Sequence, residues 1–290
     1  MEILQIEYAA LALAVGQVAL GVAVLIIAKL ALSFLSPYSV DREMTTRDNP
    51  AFGLAVSGYL AGTVMVYIRA ASSGPLPLDD GAQAVFLTMG GNLAWSLAGI
   101  VALNASRWLM DRWLVMGVRN DREITNQRNL AAGALECGAY VASAALLASA
   151  IRQPGGTPWT AGAILLLGQF ALLLTGRLYQ RWAGYDVAAE IRAGNFAAGI
   201  GFAMTLVALS LLMQKAIGGE FTSWPRSLSF FGFDAIAGFL LLLFLRWLTD
   251  AALLPHARIA EEIVRDRNVN IGLVEGVLAV GIGALILYLF

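Results

Sequence analysis

Eight uninterrupted apolar stretches, near residues 8–35, 52–71, 82–108, 129–151, 159–182, 196–217, 227–250 and 269–290, constrain this chain more than any other feature. Each is long enough to cross a hydrocarbon core of about 30 Å at about 1.5 Å per helical residue. Lipid offers the backbone no hydrogen bonds, so such stretches must be helices that pair their N–H and C=O groups internally. Composition agrees, with 59% hydrophobic and 13% charged residues, against roughly half and a quarter in soluble domains. The expected fold is an all-α polytopic membrane protein of about eight transmembrane helices. The first stretch follows Glu2 and Glu7 instead of positive charge and is too long for a signal peptide, so it reads as a retained span.

Alternate connections then face opposite sides of the bilayer. One set, with its helix ends, holds Lys29, Arg42, Arg47, Arg107, Arg112, Arg119, Arg122, Arg128, Arg177, Arg181, Arg192, Arg246, Arg258, Arg265 and Arg267. The other holds Arg69, Arg152, Lys215 and Arg226. This asymmetry puts the first set in the cytoplasm and both termini on the outer side of the membrane. Trp108, Trp182 and Trp247 beside the first set, with Trp159 and Trp224 near the outer ends, fit interfacial anchors. The outer connections, such as Ser72-Ser73-Gly74-Pro75 and Gln153-Pro154-Gly155-Gly156, read as turns. Lys29 is placed to extend its amine to the cytoplasmic interface.

The cytoplasmic connections share a cassette. It runs from a Glu followed by Ile or Met to an Asn-x-[Ala/Asn]-x-Gly at the head of the next span. The four copies are Glu43-Met44 with Asn49, Ala51 and Gly53; Glu123-Ile124 with Asn129, Ala131 and Gly133; Glu190-Ile191 with Asn195, Ala197 and Gly199; and Glu262-Ile263 with Asn268, Asn270 and Gly272. Copies two and four align without a gap from Arg107-Trp108-Leu109 and Asp111 against Arg246-Trp247-Leu248 and Asp250. The duplicated unit is therefore four helices, residues 1–152 and 153–290, each holding two weaker hairpin copies. Units with an even number of spans keep one orientation, so these are parallel repeats, at home in pores, scaffolds and carriers alike.

The Asn-x-Ala-x-Gly at the head of a span, as in Gly194-Asn195-Phe196-Ala197-Ala198-Gly199, together with the four-helix unit, resembles the YjfL-like family of bacterial inner-membrane proteins (domain of unknown function 350). The likeness covers the chain as two tandem copies and is best in the third cassette; the first departs from it with Pro50 after the Asn. The resemblance implies a bacterial inner-membrane protein of a family with no settled activity.

Chemistry-bearing residues are few. Glu136 and Glu275 stand seven residues past Asn129 and Asn268, about 10 Å along their helices. A carboxylate at that depth costs at least about 2.5–3.5 kcal/mol on insertion scales unless it meets a partner, water or a proton. The pair is expected to flank a pseudo-two-fold axis and to bind a cation or relay protons; the structural alternative is an interhelical hydrogen bond at each. Asn49, Asn129, Asn195 and Asn268 are placed to cap helix N-termini. With Glu43, Glu123, Glu190 and Glu262 they are candidates for a convergent ring at the cytoplasmic mouth, whereas capping and small-residue packing explain the pattern without a ligand. Asp234, near the outer interface, is expected to be locally hydrated, and Asn92 and Asn104 to act as polar glue between helices.

Net charge is −1 and the cations lie in short loops, which argues against nucleic-acid binding. One cysteine, Cys137, and one histidine, His256, exclude an intrachain disulfide and give no basis for a metal site or cofactor; Cys137 reads as a small apolar residue. No phosphate-cradling loop, hydrolase elbow or nucleophile–base set is present, so an enzyme is not expected. The leading expectation is an ion or proton-coupled channel or transporter using the two intramembrane carboxylates. The alternative is a non-transporting scaffold that binds a cytoplasmic or envelope-stress partner. The bilayer is the certain partner, and a homo-oligomer is compatible with the repeats.

Overall fold

Apolar length and the first strong helix breaker set the elements of the computed structural model, which describes residues 2–72, 81–115, 117–151, 154–253 and 259–289, with the side chains of 2–9, 245, 246 and 249–253 outside the description. In chain order these are α1 (Glu2–Leu35), α2 (Pro50–Ala71), α3 (Gly81–Trp113), α4 (Asn120–Thr125), α5 (Leu130–Ala150), α6 (Pro158–Trp182), α7 (Val187–Arg192), α8 (Phe196–Ile217), α9 (Trp224–Leu253), α10 (Ile259–Val264) and α11 (Val269–Leu289). Eight of them are long and apolar enough to span a bilayer, as the hydropathy pattern predicts. The one-turn helices α4, α7 and α10, and a π-helical turn at Arg42–Thr46, fill the cassette segments. Of the residues named above, Ser73-Gly74-Pro75, Arg152, Gln153, His256 and Arg258 lie outside the described residues, as do the side chains of Arg246 and Asp250.

One helix end that passes its hydropathy limit is that of α3, which runs on to Trp113 instead of stopping near residue 108. Hydropathy marks where lipid should end. Backbone hydrogen bonding continues until a breaker, and the next one is Gly117, with φ of 81°. Arg107 is thereby carried on a continuous helix, not on a loop.

The second helices of the four hairpins, α2, α5, α8 and α11, stand side by side in a row, each packed on the next. The first helices bridge them: α3 packs on α2 and α5, α6 on α5 and α8, and α9 on α8 and α11. Burial follows position in the row, at 83% for α5 and 72% for α8 but 33% for α11 at the end. Apolar side chains gain nothing from leaving lipid for protein, so close van der Waals approach has to hold the row together, and small residues permit it. A Cβ at Gly133 would lie 2.4 Å from the Ala51 carbonyl oxygen, one at Gly199 2.6 Å from that of Ala131, and one at Gly272 2.4 Å from that of Ala197. Cys137 behaves as the small residue expected, its backbone lying where a Cβ on Gly58 would come within 2.5 Å.

The outward faces are apolar. Leu11, Val15, Val18, Val22, Ile26 and Leu30 form an exposed stripe on α1, and Trp108, Trp159, Trp182 and Trp247 point outward near helix ends. That is the arrangement interfacial anchoring requires.

Candidate functional site

Each cassette closes on itself and then reaches for the next. The residue before each Asn turns the chain with positive φ: 44° at Asp48, 53° at Arg128, 72° at Gly194 and 49° at Arg267. That turn lets the Asn backbone N–H return to the carbonyl of the cassette Glu, at 3.0–3.1 Å in all four copies. The Asn side-chain oxygen caps the following helix, accepting from Phe52 N, from Ala131 and Ala132 N, from Ala198 N and from Asn270 N. Its amide donates to the cassette Glu: Asn49 to Glu43 at 3.0 Å, Asn129 to Glu123 at 3.0 Å, Asn195 to Glu190 at 2.8 Å and Asn268 to Glu262 at 3.1 Å.

The same amide also crosses to the neighbouring hairpin. Asn49 donates to the Ile124 carbonyl at 2.9 Å, Asn129 to that of Ile191 at 2.7 Å and Asn195 to that of Ile263 at 2.7 Å. These bonds run in one direction along the row, and among the described residues Asn268 makes no such crossing. Among the described residues these bonds link the four cassettes in a line that follows the row of helices they head. Glu43 also pairs with Arg47, 2.7 Å away.

Glu136 is the centre of a second cluster, one helical level into the bundle. It is 6% exposed on α5, and its Oε1 lies 2.9 Å from Arg107 Nε on α3. The same guanidinium donates to the Tyr38 hydroxyl at 2.9 Å and to Asp121 on α4. Burial pushes the Tyr38 phenol above its ordinary value, with the Arg107 charge pulling the other way. Asp111 accepts the Asn120 N–H at 2.8 Å. Arg107, Asp111, Asn120, Glu136 and Tyr140 line a cavity of about 10 Å³, room for about one water. Asp121 opens the cluster to the cassette side, its side chain 40% exposed.

A line of unmet polar groups continues from Glu136 toward the far side. Glu136, Tyr140 and Ser143 follow an i, i+4, i+7 spacing and share one stripe of α5. Ser143 Oγ donates to Gln169 Oε1 of α6 at 3.4 Å. Among the described residues, Glu136 Oε2, the Tyr140 hydroxyl and Gln169 Nε2 are buried without a hydrogen-bond partner. Unpaired buried polar atoms cost about 1–3 kcal/mol each, so such a series calls for water. Two residues before Gln169, Leu167 lines a far-side cavity of about 790 Å³, together with Ser149, Arg69, Lys215, Arg226 and Asp234. Asp234 therefore sits where local hydration was expected.

Glu275 is held differently. It is 6% exposed on α11 and accepts the Tyr179 hydroxyl of α6 at 3.0 Å, with the Tyr179 ring stacked on Phe202. Burial raises the Tyr185 phenol, outside the spans, and the charges of Glu275 and Glu190 add to the effect. Glu136 and Glu275 sit on α5 and α11, both of which pack on α8. Their named partners come from different helices, Arg107 on α3 and Tyr179 on α6.

Other polar residues join helices as expected: Asn104 donates to the Tyr59 hydroxyl at 3.0 Å, and buried Asn92 to Gln17 at 3.4 Å. Lys29 meets Asp41 at 2.6 Å. Sequence reasoning missed Arg107, Tyr140, Ser143 and Gln169 as parts of the Glu136 cluster. The usable signal was the i, i+4, i+7 polar stripe within an otherwise apolar α5.

No curated protein and no solved structure matches the chain. A family model described as Domain of Unknown Function (DUF350) matches it twice, over residues 6–151 and 156–289. With both copies together covering nearly the whole length, this polytopic chain of eight candidate spans belongs to the DUF350 family and carries two tandem copies of its domain.

Proposed function

We propose that the protein is a bacterial inner-membrane proton conductor or proton-coupled transporter in which Glu136 is the membrane-embedded relay group and the cassette side faces the cytoplasm. One observation carries this reading: three buried polar atoms, Glu136 Oε2, the Tyr140 hydroxyl and Gln169 Nε2, stand without a hydrogen-bond partner among the described residues, beside a cluster open at Asp121. Helices that only needed to pack would have no use for these groups, since each costs free energy that a leucine would not. Water threaded along the stripe would satisfy them and supply the links that side chains about 10 Å apart along a helix lack. Arg107 holds Glu136 through Oε1, which leaves Oε2 without a partner among the described residues and available to a proton. The duplicated acid Glu275, with a phenol for a partner, has a separate role, that of holding α6 against α11.

Purified protein in liposomes, with a potassium diffusion potential and a trapped pH dye, tests the reading. Wild-type protein should acidify the lumen, Glu136→Gln should abolish the signal while folding normally, and Glu275→Gln should retain it. Equal flux from Glu136→Gln removes the residue from the mechanism.

The scaffold alternative draws on the exposed charges of the cassette side, among them Arg42, Arg122, Arg128, Glu261 and Arg265. It predicts that reversing these charges, not changing Glu136, releases a soluble partner in a pull-down.

A further inference from the structure

The three contacts between successive hairpins are one interface used three times. On the donating side stand the cassette Asn amide and the residues two and nine positions past it; on the accepting side stand the carbonyl after the cassette Glu and the residues four and eight positions past the Asn. Thus Asn49 meets the Ile124 carbonyl, Ala51 meets Gly133 and Gly58 meets Cys137. Asn129, Ala131 and Gly138 meet the Ile191 carbonyl, Gly199 and Ala203 in the same order. Asn195, Ala197 and Met204 meet the Ile263 carbonyl, Gly272 and Gly276. Deeper in the bundle the register persists, with Gly62 against Ala144 and Ala208 against Gly283.

An interface that repeats in one direction leaves a donor face at one end and an acceptor face at the other. The acceptor face of the first hairpin offers the Met44 carbonyl, Gly53, Ser57 and Val64; Met44, Ser57 and Val64 are exposed, and a Cβ on Gly53 would meet nothing within 4 Å. The donor face of the last hairpin offers Asn268, Asn270, Val277 and Gly281; the last three are exposed, and a Cβ on Gly281 likewise meets nothing within 4 Å. Their counterparts inside the row are shut away, Ala131, Ala197, Ala142 and Ala208 all at 0% exposure. The bridging helices repeat the pattern. Each of α2, α5 and α8 is covered by the first helix of the following hairpin, and among the described residues no such helix covers α11. The α1 of another molecule, with its exposed stripe from Leu11 to Leu30, is the element of that kind left over.

We propose that a second copy of this chain docks head to tail. Its Met44 carbonyl accepts from Asn268 Nδ2, its α2 packs through Gly53 and Ser57 on the Asn270, Val277 and Gly281 face of α11, and its α1 crosses over α11. The occupant is another copy because the complement of each open face is already present on the chain, in a register the row uses three times. A contact of this type is heterologous, so it propagates around a closed ring or along a filament instead of stopping at a two-fold dimer.

Two cysteine pairs in a Cys137→Ala background test the proposal in native membranes oxidised with copper phenanthroline: Gly53→Cys with Asn270→Cys, and Ser57→Cys with Val277→Cys. Both double variants should give a ladder of disulfide-linked multimers on a non-reducing gel. Each single variant should remain monomeric, and co-expressed complementary singles should give dimers and nothing larger. Monomers from both double variants, as lipid or an unrelated helix on these faces would produce, overturn the proposal. Dimers from single variants, the mark of a two-fold contact, overturn it as well.

Discussion

Arg107 Nε and Glu136 Oε1 lie 2.9 Å apart, with the two side chains at 14% and 8% exposure. A pair so deeply withdrawn from solvent is held less by its mutual attraction than by the penalty of leaving either charge alone. Removing one partner of a buried ion pair costs about 3–5 kcal/mol, while replacing both with apolar residues of similar volume is often neutral. Arg107→Ala should therefore lower the thermal unfolding temperature in detergent sharply. The double variant Arg107→Met with Glu136→Leu should melt close to wild type and carry no flux. If the double variant is as unstable as Arg107→Ala, the pair is not what fixes α3 against α5.

The asparagines give a second comparison, since Asn129 and Asn268 share their cap and their bond to the cassette Glu, yet Asn129 alone crosses to the next hairpin in a single molecule. Losing a cap costs about 1 kcal/mol, and leaving the Ile191 carbonyl unpaired adds about 1–3 kcal/mol. In detergent-dispersed monomers Asn129→Ala should be more destabilising than Asn268→Ala by that added amount, measured by denaturant unfolding. Equal effects would mean that the crossing bond contributes nothing.

Glycines in the row follow the same logic. In a detergent-dispersed monomer, Gly133→Ala would drive a methyl to 2.4 Å from the Ala51 carbonyl oxygen, whereas Gly53→Ala enters open space. Overpacking of this kind costs about 1–3 kcal/mol, and Ala for Gly on an open helix face gains up to about 1 kcal/mol. Opposite signs in melting temperature are expected, and a harmless Gly133→Ala would show that the row is looser than the backbone approach implies.

Charge asymmetry, with fifteen basic residues on the cassette side and four on the other, supports the proposal that both termini lie outside the cytoplasm. A C-terminal fusion to a reporter active only in the periplasm should be active, and a fusion within the 117–128 connection should not. The reverse result would invert the topology.

The fold was readable because its dominant signals are local. Apolar length marks each span, and the Asn-x-[Ala/Asn]-x-Gly pattern marks where four of them begin. The depth of Glu136 and Glu275 followed from counting residues along a helix. Their partners did not, because Arg107 and Tyr179 stand on other helices, far from the two acids along the chain. The crossing bonds were hidden for another reason: their acceptors at Ile124, Ile191 and Ile263 are backbone carbonyls, which every residue has. The left-handed turn before each Asn was advertised by glycine only at Gly194, while Asp48, Arg128 and Arg267 adopt it without that signal. Gln169 meets Ser143 across two helices, a contact between residues 26 positions apart that no local pattern marks.

Proton flux through Gln169→Leu tests the central claim most directly. The substitution leaves the Arg107–Glu136 pair untouched and removes the side-chain partner of Ser143 on α6. If protons travel the α5 stripe, potential-driven acidification of liposomes should slow by about tenfold or more, a barrier increase of about 1.4 kcal/mol or more, with melting temperature unchanged or raised. Wild-type flux from a correctly folded Gln169→Leu protein would contradict the account.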